Sequence, residues 1–200
     1  MNNYFLDITT TILGLLYILF EVRGSWLMWV VGFLMQALGI VLYFQKGLYA
    51  DCGMEFYYIL MTIYGFVVWK TGRTLCCSQR REKKQEKERA ITHIPRKLIL
   101  LWLLVAVAVW IFIYWILLSF TDSNVPLADS FTTALSIVGI WALAHKYLEQ
   151  WFIWIAVDIV TSALYFYKDI PFKASLYALY VIIAVFGYFN WKRKMTEQIS

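Results

Sequence analysis

Charge is scarce in this chain, and so are proline, histidine and any ordered spacing of cysteine. Asp, Glu, Lys and Arg make up 16% of its 200 residues, against about 25% in an ordinary soluble domain. Cys52, Cys76 and Cys77 form no C-x-x-C pair, and with only two histidines they make no zinc set. No metal or other cofactor is therefore expected, and Cys76 and Cys77 read as reduced thiols near the headgroups. His93 and His145 fall in loops or at span ends, where solvated side chains are expected. There is no G-x-S-x-G and no H-E-x-x-H, which argues against an intramembrane enzyme. No basic segment precedes the first apolar run, so no cleavable leader is expected.

What the chain has instead is apolar length. It is 62% hydrophobic and 19% aromatic, well above the roughly 45–50% apolar content of soluble domains. Seven runs are long enough to cross a bilayer, each needing about 17–25 residues. They are Tyr4–Phe20, Trp26–Phe44, Met54–Trp69, Leu98–Phe120, Ser130–Tyr147, Trp151–Tyr167 and Ala174–Trp191. Between the third and fourth lies a polar segment, Lys70–Lys97, with the charged run SQRREKKQEKER at its centre. With that segment in the cytoplasm and the spans alternating, 15 of the 18 Lys and Arg lie inside and 3 outside. The positive-inside bias places the N-terminus outside and the C-terminus inside, and it accounts for the net charge of +5 without nucleic acid as a partner.

Laid on itself with a shift of 122, the chain repeats. Residues 7–70 and 129–192 share 14 identities in 64 positions, Trp29/Trp151, Leu42-Tyr43-Phe44/Leu164-Tyr165-Phe166, Tyr58/Tyr180, Gly65/Gly187 and Trp69/Trp191 among them. Each unit holds three spans, and the extra span Leu98–Phe120, which carries no charge, turns the chain once more so that the units run parallel. The expected domains are a first three-helix repeat at 1–70, a basic cytoplasmic loop at 71–97, a connector helix at 98–120, a second repeat at 121–195 and a tail at 196–200. Folds of this kind hold their cargo near the midplane between the repeats. Asp7/Asp129 and Thr10/Thr132 are expected to cap helix starts at the outer surface.

One stretch draws the functional reading together. In EQWFIWIAVDIVTSALYFYK (149–168), a carboxylate, Asp158, sits in the middle of a membrane span. A charge at that depth costs about 2.5–3.5 kcal/mol on insertion scales, so it normally faces a cavity, a partner or a cargo. Trp151 and Trp154 share its helix face at i, i+3 and i+7. Two indoles beside a carboxylate suit a flat cationic ring. The repeat sets Gln36 opposite Asp158, each seven residues after a tryptophan, Trp29 or Trp151. Tyr58 and Tyr180 are a further repeat-related pair.

These residues carry a family resemblance. EQWFIWIAVDIV (149–160), LYFYKDIPFKASLYALY (164–180), FGYFNWK (186–192) and FTDSNVPLADSFTTALSIVGIWALA (120–144) resemble the PnuC family of vitamin-precursor transporters. The resemblance implies an all-α integral membrane protein of seven transmembrane helices, in the 3+1+3 arrangement shared with SWEET sugar transporters. It implies a homotrimer in the bacterial cytoplasmic membrane and facilitated uptake of a small cationic aromatic vitamin precursor, nicotinamide riboside first, with a cytoplasmic kinase trapping the product. The candidate binding residues, read from depth, helix face and the repeat, are Trp151, Trp154, Asp158, Gln36, Trp29, Tyr58 and Tyr180. Thiamine uptake fits the same residues, as does proton-coupled transport with Asp158 as the carrier. A structural or assembly protein would not need matched polar groups in both halves.

Overall fold

The computed structural model describes residues 3–45, 49–71, 89–120, 125–167 and 171–199. Within them lie seven helices: α1 (Asn3–Arg23), α2 (Leu27–Gln45), α3 (Tyr49–Thr71), α4 (Arg96–Phe120), α5 (Pro126–Ala144), α6 (Gln150–Tyr167) and α7 (Pro171–Ile199). The core of the basic run, Cys76 and Cys77, Lys46 and the turn at 121–124 fall outside the described residues. So do the side chains of Asp7, Thr10 and Cys52. α4, α5, α6 and the Ala174–Gln198 part of α7 are long and apolar enough to cross a membrane, and Leu27–Val41 is a shorter apolar stretch. α4 has no buried residue. It is held to α5 by the Trp110 indole, which donates to Ser130 Oγ at 3.1 Å.

The chain forms two compact units, Met1–Ala90 with Ala144–Lys146, and Ile91–Leu143 with Tyr147–Ser200. In the first, α1 packs on α2 and α2 on α3; in the second, α6 packs on α7. Three expectations about helix ends give way. α5 starts at Pro126, a residue suited to the first helical turn. Thr132 therefore lies inside the helix, and its hydroxyl donates to the Ala128 and Asp129 carbonyls rather than capping an N–H. α7 runs past Trp191 to Ile199, two turns beyond the apolar span.

The third is α5, which stops at Ala144 rather than Tyr147. Lys146 adopts φ 51°, the left-handed region, and the Tyr147 amide donates to the Ala142 carbonyl at 3.1 Å. That is a Schellman-type stop, normally given to glycine. Shifted by 122, the same turn recurs between α1 and α2: Gly24 has φ 65°, and the Ser25 amide donates to the Phe20 carbonyl at 3.0 Å. His145, expected to be solvated, is buried, with Nε2 3.2 Å from the Tyr64 hydroxyl. The Lys146 ammonium lies 4.1 Å from the centre of the Trp69 ring.

Lys146→Gly and Lys146→Ala both lose that ring contact, but only glycine relieves the left-handed backbone. The glycine variant is expected to be more stable by about 1 kcal/mol. Thermal unfolding in detergent checks this; equal melting temperatures would mean that the turn stores no strain.

In the second unit, a strap leading into α4 fixes the start of α6. Glu149 accepts from the Ile94 amide at 3.0 Å and meets His93 Nδ1 at 2.7 Å. The Leu148 amide donates to the Thr92 carbonyl at 3.0 Å, and the Ile91 amide donates to Gln198 Oε1 on α7 at 3.1 Å. The direction of α6 is set at this end.

Candidate functional site

α6 buries one face, formed by Gln150, Trp151, Ile153, Val157, Asp158 and Ser162. The two tryptophans of the expected cradle have different surroundings. Trp151 is fully buried. Its ring stands edge-to-face with Trp191, centroids 5.6 Å apart at 89°, and a Cβ added at Gly187 would collide with the indole. The missing side chain at Gly187 is what lets α7 close over the ring. Trp151 therefore has no open face for a guest, and its place is in the packing of α6 on α7.

Trp154 is only half-buried. Its ring lies beside Gly139 of α5, where an added Cβ would stand 3.5 Å from the indole. One turn on, Asp158 is 7% exposed. Among the described residues, none hydrogen-bonds its carboxylate. Tyr180 of α7 is within its electrostatic reach. The Tyr180 ring meets Tyr177 edge-on at 5.6 Å, and Tyr177 stacks on Tyr165 of α6 at 5.4 Å. Ser162 donates to the Ala174 carbonyl at 2.8 Å, joining α6 to the start of α7. Trp154 and Asp158 thus stand one turn apart on α6, an aromatic face beside a buried carboxylate, with Tyr180 of α7 near the carboxylate.

The first unit repeats this plan with different residues. Trp29 is buried against Gly65 and Trp69, again at 5.6 Å and 89°. It is the packing counterpart of Trp151 and, like it, offers no free ring. Gln36 is buried and accepts a hydrogen bond from the Thr62 hydroxyl at 2.9 Å. Tyr58 precedes Thr62 by one turn of α3, on the same face.

The aromatic partner of this group is a residue the sequence reading did not single out. Tyr17 of α1 lies against Gly32 of α2: an added Cβ there would be 3.0 Å from Tyr17 Cε2 and 3.9 Å from Gln36 Nε2. Under the shift of 122, Tyr17 maps to Gly139 and Gly32 to Trp154. Besides the tryptophan packed on Gly65 or Gly187, each unit therefore has a second ring beside a second glycine, but that ring comes from the first helix of one repeat and from the second helix of the other. The signal was in the register: a ring and a glycine trade places at two aligned positions. Counting identities passes over it.

A family model described as nicotinamide mononucleotide transporter matches residues 4–193. The chain belongs to this family. It is a family of membrane transporters rather than enzymes, as the missing catalytic motifs led us to expect. The nicotinamide riboside transporter PnuC of Neisseria mucosa is 27% identical over 191 residues, covering 90% of this chain and 69% of that protein. Its namesake in Escherichia coli is 23% identical over 184 residues, 80% of this chain and 73% of that protein. The riboflavin/roseoflavin transporter RibM of Streptomyces davaonensis is 25% identical over 187 residues, covering 92% and 83%. In fold, the chain is similar to the crystal structure of the vitamin B3 transporter PnuC, with a TM-score of 0.72 at 23% identity, over 98% of this chain and 83% of that one. The seven-helix PnuC-like architecture expected from the sequence is the one observed.

Proposed function

We propose that this transporter mediates facilitated uptake of nicotinamide riboside across the cytoplasmic membrane. The observation that carries the reading is the Trp154–Asp158 face of α6, a half-open indole one turn from a buried carboxylate with no protein hydrogen bond among the described residues. Nicotinamide riboside carries a flat pyridinium. A cation over an indole gains about 0.5–2 kcal/mol, and the carboxylate supplies the counter-charge that makes its own burial tolerable. Tyr180 stands ready to hydrogen-bond the ribose. In the first unit, Tyr17, Gln36 and Tyr58 form the matching group, and the Gln36 carboxamide suits a neutral polar partner. The names of the relatives from Neisseria and Escherichia support this cargo.

The chain's own charge pattern supports an orientation with the N-terminus outside and Lys192, Arg193 and Lys194 inside. A homotrimer, and capture of the cargo by a cytoplasmic kinase without direct contact, complete the proposal.

The test is uptake into liposomes that hold the purified protein and no kinase. Labelled nicotinamide riboside is expected to equilibrate without concentrating, and an imposed pH gradient is expected to change nothing. Accumulation driven by the gradient would transfer the role of Asp158 to proton carriage. Thiamine and riboflavin are run alongside; saturable uptake of thiamine in place of nicotinamide riboside would change the cargo but keep the site.

A further inference from the structure

Gln150, the first residue of α6, is 0% exposed, and among the described residues neither its amide nitrogen nor its amide oxygen has a hydrogen-bond partner. A buried polar group left unpaired costs about 1–3 kcal/mol, and here a donor and an acceptor are stranded on one side chain. Such a group calls for an explanation, and a partner from outside the protein during the working cycle is one.

Its position on the helix puts it in line with the proposed binding face. Gln150, Trp154 and Asp158 follow one another at i, i+4 and i+8, so they lie in one row along α6. Gln150 is about 12 Å from Asp158 along the helix axis, at 1.5 Å per residue. Thr161 and Tyr165 extend the row at i+11 and i+15 toward the other end of the helix. The Trp154 indole nitrogen, between the glutamine and the aspartate, is likewise buried without a partner, as are those of Trp29, Trp102 and Trp151 outside the row. The row therefore runs carboxylate, indole N–H, carboxamide, and its last two members carry no protein hydrogen bond among the described residues. Under the shift of 122 Gln150 aligns with Met28, which is also fully buried. The same spot in the other unit is thus filled by an apolar chain of similar length, so the amide is not needed to fill space.

We infer that Gln150 is a second contact point for the cargo, taking up its hydroxyl or carboxamide groups as it passes from Asp158 toward the α6 N-terminal end. The inference rests on the proposed cargo and goes beyond it. A carboxamide pairs equally with a ribose hydroxyl and with the amide of a nicotinamide ring, through one donor and one acceptor. It holds no charge, so it does not trap the cation that Asp158 has just released. A polar stop about two turns past the binding face lowers the barrier to passage while leaving the affinity at the face unchanged.

The experiment uses the full chain and labelled nicotinamide riboside. Gln150→Met copies the Met28 arrangement, and Gln150→Glu keeps the volume and the acceptors but loses the amide donor. For each variant, the dissociation constant is read by tryptophan quenching, the initial uptake rate in liposomes, and the melting temperature in detergent. The expected result for Gln150→Met is an uptake rate down about tenfold, the factor one hydrogen bond supplies, with affinity within twofold of the parent and a melting temperature equal or higher. Unchanged uptake would overturn the inference, and so would loss of folding in both variants, which would make the amide a structural tie. If the parent chain neither binds nor carries nicotinamide riboside, it is the proposed function that fails; if the parent carries it and Gln150→Met does so equally well, only the role of Gln150 fails.

Discussion

Asp158→Asn is expected to weaken the binding of nicotinamide riboside by about tenfold to a hundredfold, the worth of one charge-assisted hydrogen bond at 1.5–3 kcal/mol. The substitution is nearly isosteric and keeps an acceptor. What it removes is the negative charge, 7% exposed in the middle of α6. In the absence of cargo that charge is a burden on the fold, because few groups are available to solvate it. The melting temperature of the asparagine variant should therefore be equal or higher. A neutral flavin bound at the same face should lose little. Titration by tryptophan quenching with both cargoes separates the cases. Equal affinity of parent and variant for the pyridinium would remove the counter-charge role.

Trp151→Ala is expected to act on the fold rather than on the cargo, by about 3–5 kcal/mol. Its ring fills the space that Gly187 leaves open and meets Trp191 edge-on at 5.6 Å. In lipid, helices are held by such packing, with little help from the hydrophobic effect, so a void there has no cheap remedy. Trp29→Ala should cost a similar amount, since Gly65 and Trp69 surround it in the same way. Trp154→Ala should do the reverse: a small loss of stability, and an affinity lower by one cation–π contact, about twofold to thirtyfold for 0.5–2 kcal/mol. Melting temperature and dissociation constant, measured on all three variants, give the two patterns. A Trp151→Ala protein that melts normally and binds weakly would return Trp151 to the cargo.

Much of this arrangement was legible in the sequence. The seven helices follow from run length alone, since an uncharged stretch such as Leu98–Phe120 has few alternatives to crossing a bilayer. The end of α5 was not legible, because a lysine at φ 51° does what glycine ordinarily does, and only the aligned Gly24 hints at it. Nor was the difference in burial between Trp151 and Trp154, which lie on one side of α6. Burial separates them, and burial depends on which neighbouring helix carries a glycine. In hindsight the repeat held the answer. Positions identical in both units, Trp29/Trp151, Gly65/Gly187 and Trp69/Trp191, form the packing posts. Positions that differ, Gln36/Asp158, Gly32/Trp154 and Tyr17/Gly139, surround the candidate binding faces, where a cargo with unlike ends needs unlike partners. Tyr58/Tyr180 is the exception, an identical pair that lies with the candidate binding groups.

The most direct measurement is a structure determined with nicotinamide riboside bound. The pyridinium should lie on the Trp154 indole, with its positive edge toward the Asp158 carboxylate and Trp151 still closed beneath Gly187. A guest bound elsewhere in the protein, with Asp158 turned to the acyl chains or tied to a neighbouring helix, would contradict the account.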